Sequence, residues 1–441
     1  NALHWHFKGR QKLVDTNMAV IHSAFSWAKD NLTKSDPFEV EPANLTDGQI
    51  MVDGNLAGAL GAIYGGVTVM AWYPITPSTS LADSLTKYAA LLRHDENGNA
   101  TYSIIQAEDE LAAAGMVIGA GWAGARSMTA TSGPGISLMS EFAGFGYFAE
   151  IPAVIWDVQR VGPSTGLPTR VSQGDLTACY WSSHGDTEHI CLLPGNINEC
   201  FEFGWKAFDI AEQYQTPVFV LSDLDLGMNN WMSKPFVYPN KPMNRGKVLT
   251  AEQVEANGFN RYLDLDGDGI SYRTLPGTSH PQASYFTRGS GHNKSAKYSE
   301  DPQDYVENMQ RLKLKIDGAR KHLPEPILTN RDNSKIGIIG FGSTDPAIIE
   351  ACDRLCDNDI LCSYLRIRAL PLNLNVADFI KSYEKIYVIE MNIDGQLHKL
   401  LQLQFPELAT RMHSSAYCDG LPLSARWIVN EIITKENSPN E

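Results

Sequence analysis

The sequence contains no pair of cysteines spaced Cys-x-x-Cys. Its seven cysteines, Cys179, Cys191, Cys200, Cys352, Cys356, Cys362 and Cys418, are scattered through 441 residues. That excludes a disulfide framework, and a zinc or iron–sulfur site built by this chain alone, so no metal site is expected in it. Cys352 and Cys356, at i,i+4 spacing, read as two small core residues on one helix face. Long hydrophobic runs are also missing. Every apolar stretch is soon interrupted by Gly, Pro or charge, and no window reads as a membrane span. Positive charge is scarce: the net charge of −15 argues against nucleic-acid binding through a broad basic surface. There is no internal repeat and no low-complexity run. An initiating Met and a basic-then-apolar leader are both absent, so the sequence reads as a piece of a longer polypeptide without an export signal. With the sparse cysteines, this points to the cytoplasm.

What is present is the composition of a folded protein, 43% hydrophobic and 20% charged. The length suggests about three folding units. Residues 1–33 end in an amphipathic run, Val20–Asn31, that looks like the last helix of an upstream domain. Residues 34–48 are a polar linker. From 49 to 235 the pattern is α/β. Buried strands are expected at Thr68–Tyr73, Ser127–Thr131, Ala153–Val158 and Val218–Ser222. Helices are expected at Ser80–Leu92, Asp109–Ala125, Ser137–Ala149 and Ile197–Gln215. Such alternation predicts a parallel sheet with helices on both faces. Residues 236–331 read as an irregular linker with a long helix at Asp301–Leu323. A second α/β unit fills 332–441, with strands at Ile336–Phe341, Leu361–Arg366 and Ile386–Met391 and helices at Asp345–Asp357 and Gln396–Gln404.

Two blocks in the first α/β region carry chemistry. Gln106-Ala107-Glu108-Asp109-Glu110 puts carboxylates at the head of a helix rich in Ala and Gly. Small residues there allow another backbone or a planar ring to come close. The carboxylates also suit the positive helix N-terminus on electrostatic grounds alone. Thr129-Ala130-Thr131-Ser132-Gly133-Pro134-Gly135 joins a buried strand to a helix, a turn that can present backbone N–H groups to an anion or a polar ring. A plain strand-to-helix turn would look the same. Taken together, the blocks resemble the pyrimidine-binding domain of thiamin diphosphate enzymes. The resemblance implies that Glu108 hydrogen-bonds N1′ of the aminopyrimidine, which activates the cofactor without acting as the base itself. It also places Ser132, Gly133 and Pro134 at the cofactor.

Four longer strings narrow the resemblance. They are Trp72-Tyr73-Pro74-Ile75-Thr76-Pro77-Ser78-Thr79-Ser80; Asp157 through Arg170 (DVQRVGPSTGLPTR); Gln173-Gly174-Asp175-Leu176; and Glu390-Met391-Asn392-Ile393-Asp394-Gly395-Gln396-Leu397. In this order, over about 50–435 of the chain, they closely resemble the alpha subunit of 2-oxoacid:ferredoxin oxidoreductases. That family implies a pyrimidine-binding domain followed by a transketolase-C-terminal-like α/β domain. The 1–33 tail would then belong to an upstream gamma-like domain. The implied chemistry is oxidative decarboxylation of a 2-oxoacid with coenzyme A to an acyl-CoA and carbon dioxide, with the electrons passing to ferredoxin. Thr76 and Arg160 are the implied contacts to the substrate carboxylate, which a guanidinium fork binds bidentately; Arg160 also reads as a structural ion-pair partner.

The Gly166–Arg170 stretch resembles 2-oxoglutarate-type subunits more than pyruvate-type ones, which implies 2-oxoglutarate as substrate and succinyl-CoA as product. Arg170, with Thr169 beside it, is the candidate for the second carboxylate. Pyruvate or branched-chain 2-oxoacids, or a non-oxidative thiamin-dependent decarboxylase, are the alternatives. A beta subunit is expected to share the thiamin diphosphate, to supply Mg²⁺ and a 4Fe-4S cluster, and to form a dimer of alpha–beta pairs.

Several strings mimic other sites. Gly267-Asp268-Gly269 with Asn293 has the spacing of a thiamin diphosphate–Mg²⁺ motif, but it does not end a buried strand. Asp264–Gly269 starts like an EF-hand loop, yet its twelfth position would be Leu275. His184-Gly185-Asp186-Thr187-Glu188-His189 lacks the helical frame of a His-Glu-x-x-His zinc site. The glycines at 337, 340 and 342 do not spell a dinucleotide fingerprint.

Overall fold

A computed structural model describes residues 2–437, which separate into two compact units, Asn1–Asp47 and Gly48–Glu441. The first is helical, with Ala2–His6 and Gln11–Asn31. No helix among the described residues is long and apolar enough to cross a membrane.

The second unit is built on two sheets. Seven strands lie in the order Ala369–Leu370, Ile190–Leu192, Pro217–Asp223, Ala153–Gln159, Ser127–Thr131, Val69–Trp72, Ser103–Gln106. All pairings are parallel except the first, where Ala369–Leu370 runs antiparallel to Ile190–Leu192. The three central strands are buried at every residue, as a sheet covered by helices on both faces requires. Five strands form the second sheet in the order Met412–Ala416, Lys385–Glu390, Ile336–Phe341, Cys362–Ile367, Ile327–Thr329, with only the last antiparallel. The α/β class expected from the sequence is the one observed.

Helix starts are fixed by side chains. Asp53, Asp109, Asn196 and Asp223 each accept a backbone N–H from the first turn of the helix that follows. Helix Gly54–Tyr64 has no counterpart among the expected elements. Its glycines exist for contact rather than flexibility. A Cβ on Gly61 would stand 2.2 Å from the carbonyl of Phe201, and one on Gly58 would stand 2.6 Å from the Trp156 ring. The strands Ser103–Gln106, Ile190–Leu192 and Met412–Ala416 were likewise unexpected. Each is short, polar or an edge strand, so its apolar signal is weak.

Within 236–331 lie the helices Ala251–Asn257 and Pro302–Ala319 and a single turn at Pro281–Ala283, and the strand Ile327–Thr329 already belongs to the second sheet, ahead of the boundary expected at 331; the rest is irregular. Buried charge holds it to the first sheet's helices. Glu150 accepts from Arg311 Nη1 at 3.0 Å and Lys315 Nζ at 2.8 Å, and Glu212 faces Arg126, Arg245 and Arg273. The acidic Asp264–Gly269 turn carries its own cation: Lys247 Nζ lies 2.6 Å from Asp266, 2.8 Å from Asp268 and 2.9 Å from the Ile270 carbonyl. His189 is buried with Nε2 on the Ser182 carbonyl, and burial pushes its pKa down to about 4, whereas His184 is solvent-exposed near Glu141.

Candidate active site

The C-terminal ends of the first sheet's strands meet the second sheet across a cleft of about 480 Å³. Gly133, Arg160, Ser164, Asp175, Asn392 and Cys418 are among the residues lining it. Open parallel sheets place their ligand crevices at these strand ends. Two sequence strings interlock to form one wall. The Gln173 amide donates to the Phe341 carbonyl at 2.9 Å and accepts from Met391 N at 3.0 Å, while its backbone N–H donates to the Met391 carbonyl at 2.7 Å. Asn392 donates to the Gln173 carbonyl at 3.1 Å, and Gln396 donates to the Gly174 carbonyl at 2.6 Å. Glu390 anchors the other end of this clasp. It accepts from Leu397 N at 2.8 Å and His398 N at 3.0 Å, at the start of helix Gln396–Gln404.

Arg160 follows the buried strand Ala153–Gln159 and is 6% exposed. Its Nη1 donates to the Thr76 carbonyl at 2.6 Å and its Nη2 to the Thr165 carbonyl at 3.3 Å. Its Nε has no hydrogen-bond partner, and no carboxylate lies within 4.0 Å of it among the described residues. The guanidinium is therefore held in place by carbonyls without a direct ion pair, although Asp175 is close enough to feel its charge. Thr76 is exposed, and its loop is tied down by Asn55, which donates to the Pro77 carbonyl at 2.9 Å and to Ser80 Oγ at 2.8 Å.

Ser132 precedes helix Gly133–Phe148 and is fully buried, with an unpartnered Oγ. Gly133 and Pro134 line the cleft. A Cβ on Gly133 would lie 2.8 Å from both carboxyl oxygens of Asp175. The head of this helix thus already faces a carboxyl from its own chain.

The structure does not bring every expected residue to the cleft. Glu108 is exposed beyond the edge strand Ser103–Gln106, and its carboxylate has no hydrogen-bond partner among the described residues. Asp109 caps the helix through Ala112 N at 2.7 Å. Glu110 is 7% exposed and turns inward: a Cβ on Gly135 would stand 2.9 Å from Glu110 Cγ and against Thr131. Thr169 and Arg170 are exposed on the loop after Arg160, with Arg170 Nη1 on the Thr169 carbonyl at 3.1 Å and its stem against Gly420. They stand outside the cleft lining.

Sequence reasoning assigned no role to three acids that the structure makes conspicuous. Asp157 interrupts the otherwise apolar buried run Ala153–Val158, which is a readable signal. Asp175 stands on the cleft wall, and Glu110 is buried at the helix head. Burial pushes Asp175 up to about 6 against the pull of Arg160. Burial and the charge of Asp175 push Asp157 well above the carboxylate range.

The chain is similar to several known proteins. A family described as "Pyruvate flavodoxin/ferredoxin oxidoreductase, thiamine diP-bdg" matches residues 60–256. The chain is 33% identical over 420 residues to "2-oxoacid:ferredoxin oxidoreductase 2, subunit alpha" of Aeropyrum pernix, a match covering 91% of this chain and 63% of that one. It is 35% identical over 358 residues to "2-oxoglutarate synthase subunit KorA" of Methanothermobacter marburgensis, covering 79% of this chain and 89% of the relative. Among solved structures, the 2-oxoglutarate:ferredoxin oxidoreductase of Magnetococcus marinus, with 2-oxoglutarate, coenzyme A and succinyl-CoA bound, superposes with a TM-score of 0.87. The two are 30% identical, and the match covers 98% of this chain and 73% of that one.

Proposed function

The chain belongs to the family of 2-oxoacid:ferredoxin oxidoreductase alpha subunits, and from that premise we propose that it supplies the 2-oxoacid-binding half of an enzyme making succinyl-CoA from 2-oxoglutarate. The chain spans 63% of the length of the Aeropyrum relative, so activity, substrate and partners of the whole enzyme are part of the proposal. The observation that carries it is Arg160, a buried guanidinium held by carbonyls on a cleft wall with no carboxylate paired to it. A charge left unmatched inside a protein calls for an anionic ligand. The carboxylate of a 2-oxoacid meets that need bidentately, with Thr76 beside it.

The turn at Ser132–Pro134 fits a thiamin ring: Ser132 Oγ is buried without a partner, and glycines at 133 and 135 let Asp175, Thr131 and Glu110 pack close against the helix head. Thiamin diphosphate, when bound, supplies the electron sink that lets the bond to the carboxyl carbon break. This chain's residues do the rest of the positioning. Arg160 and Thr76 hold the carboxylate until carbon dioxide leaves, and the closed clasp at Gln173 and Asn392 keeps water from the back of the cleft. For the carboxylate that meets the aminopyrimidine, Glu108 is the residue the family resemblance points to, and its exposure leaves it free to meet a partner-bound ring. We favour Glu110, because its burial against Thr131 and Gly135 places it at the Ser132 turn. The beta subunit would contribute Mg²⁺ and the iron–sulfur cluster, ferredoxin would take the electrons, and the cytoplasm would be the setting.

The test is viologen reduction by the chain co-purified with its beta subunit, supplied anaerobically with thiamin diphosphate, Mg²⁺ and coenzyme A. Coenzyme A-dependent reduction that prefers 2-oxoglutarate to pyruvate and to branched 2-oxoacids is expected. Arg170→Met should then raise the KM for 2-oxoglutarate about tenfold or more while leaving that for pyruvate within about twofold, as loss of one charged contact predicts. Equal effects on both substrates would remove Arg170 from the distal carboxylate.

A further inference from the structure

On the cleft wall and just behind it lie two acids that the functional reading leaves unused. Asp157 is 0% exposed; its Oδ1 has no hydrogen-bond partner among the described residues, and its Oδ2 faces only the Cys179 thiol at 3.8 Å. Asp175 lines the cleft. Its Oδ2 is shielded and equally without a partner, and its side chain does not cap the short helix Leu176–Tyr180 that it precedes. Gly133 makes room for this carboxyl, since any larger residue would collide with both of its oxygens. Arg160 is the one cation among the described residues lining this cleft.

An ionised carboxylate shut away from water and from donors is costly, whereas a protonated one carries its own donor. No other side chain facing the pair adds positive charge; the N-terminus of helix Gly133–Phe148, which Asp175 faces, adds a partial one that opposes the effect of burial. The Cys179 and Cys191 thiols are pushed up by burial. Gln159 uses its Oε1 to accept the Asp175 backbone N–H at 3.1 Å. Across the cleft stand Asp394, Gln396 and Cys418, with Glu390 behind them tied to backbone N–H groups.

This inference rests on the functional reading above. We propose that the substrate carboxylate binds between Arg160 and Asp175, and that Asp175 takes up one proton from solvent as it does so. The new O–H then donates to the bound carboxylate, and Arg160 faces one negative charge instead of two. No other bond forms or breaks. Asp157 acts through Asp175, as a neutral positioning residue. The linkage sign follows: an incoming anion raises the affinity of Asp175 for its proton, so binding is tightest where Asp175 is already protonated and weakens as pH rises above that point.

The experiment uses the complex with its beta subunit. KM for 2-oxoglutarate should rise about tenfold per pH unit above about 6, with no matching slope in kcat. Asp175→Asn should flatten that slope, because an amide does not ionise, whereas Asp157→Asn should keep it. Independently of turnover, 2-hydroxyglutarate, which has the carboxylates but no reactive keto group, should draw about one proton per site from weakly buffered solution near neutral pH. Asp175→Asn should abolish that uptake. A flat wild-type KM, probe binding without proton uptake, or an Asp175→Asn slope equal to wild type overturns the inference. Proton uptake with the probe in a complex that turns over no 2-oxoacid would overturn the functional reading alone.

Discussion

Glu150 and Asp157 are carboxylates sealed from water in the same α/β region, and their surroundings are opposite. Glu150 is buried, which alone would raise its pKa, but two cations, Arg311 and Lys315, outweigh burial and hold it well below the usual carboxylate range. Asp157 has no cation and an unpartnered oxygen, and its pKa lies well above that range. The first is complete within the chain and fixes the 236–331 segment in place. The second is incomplete, and it stands directly behind a cleft. The difference teaches where to look for function: charge that is matched internally is architecture, and charge left unmatched waits for something from outside.

Four substitutions sharpen or break that contrast. The largest effect is expected at Glu110, a buried acid with no ion-pair partner among the described residues. Glu110→Gln should lower turnover about 10²- to 10⁴-fold, the range of a lost proton-handling group. Glu108→Gln, two residues away, should cost less than about tenfold, and the reverse ranking would return the role to the exposed residue. Next comes Glu150→Ala. It strands Lys315 and Arg311 in the interior, and denaturant unfolding should show a loss of about 3–5 kcal/mol. The pH dependence has a definite sign: the Glu150 contribution is present above the ordinary glutamate value and disappears as acid drives the pH down through its depressed folded value. The smallest effect is at Asp157. Asp157→Asn should stabilise the chain by about 1–2 kcal/mol at mildly alkaline pH and leave it unchanged near pH 4, because ionising a carboxyl with a raised pKa costs folded-state stability only above the unfolded value. Destabilisation at both pH values would mean that the carboxyl is held by a partner after all.

The parts of this architecture that were readable beforehand are those with a local signal. Ile336–Phe341 announces itself as a short apolar run and Ser127–Thr131 as a short run of small and β-branched residues, and both lie where the pattern put them. Thr76, Arg160 and Asp175 stand out as members of long strings. What could not be read is whatever depends on distant segments closing on one another. Gln173 and Asn392 meet only because two sheets come together. The choice between Glu108 and Glu110 turns on which way the chain rotates at a single helix cap, and Asp109 decides that by taking the Ala112 N–H. Lys247 likewise fills an acidic turn that lies far from it in sequence.

The antiparallel pairing of Ala369–Leu370 with Ile190–Leu192 also sets an order of events during synthesis. The first sheet emerges from the ribosome with one border unfinished, and that border stays open until the chain has been made as far as Leu370. Until then Ile190–Leu192 is a free edge, able to recruit a strand from a neighbouring nascent chain. A ribosome stalled between the two strands would release a fragment with most of its sheet formed and one adhesive rim, so chaperone demand should peak in the interval when residues 193–368 are being translated.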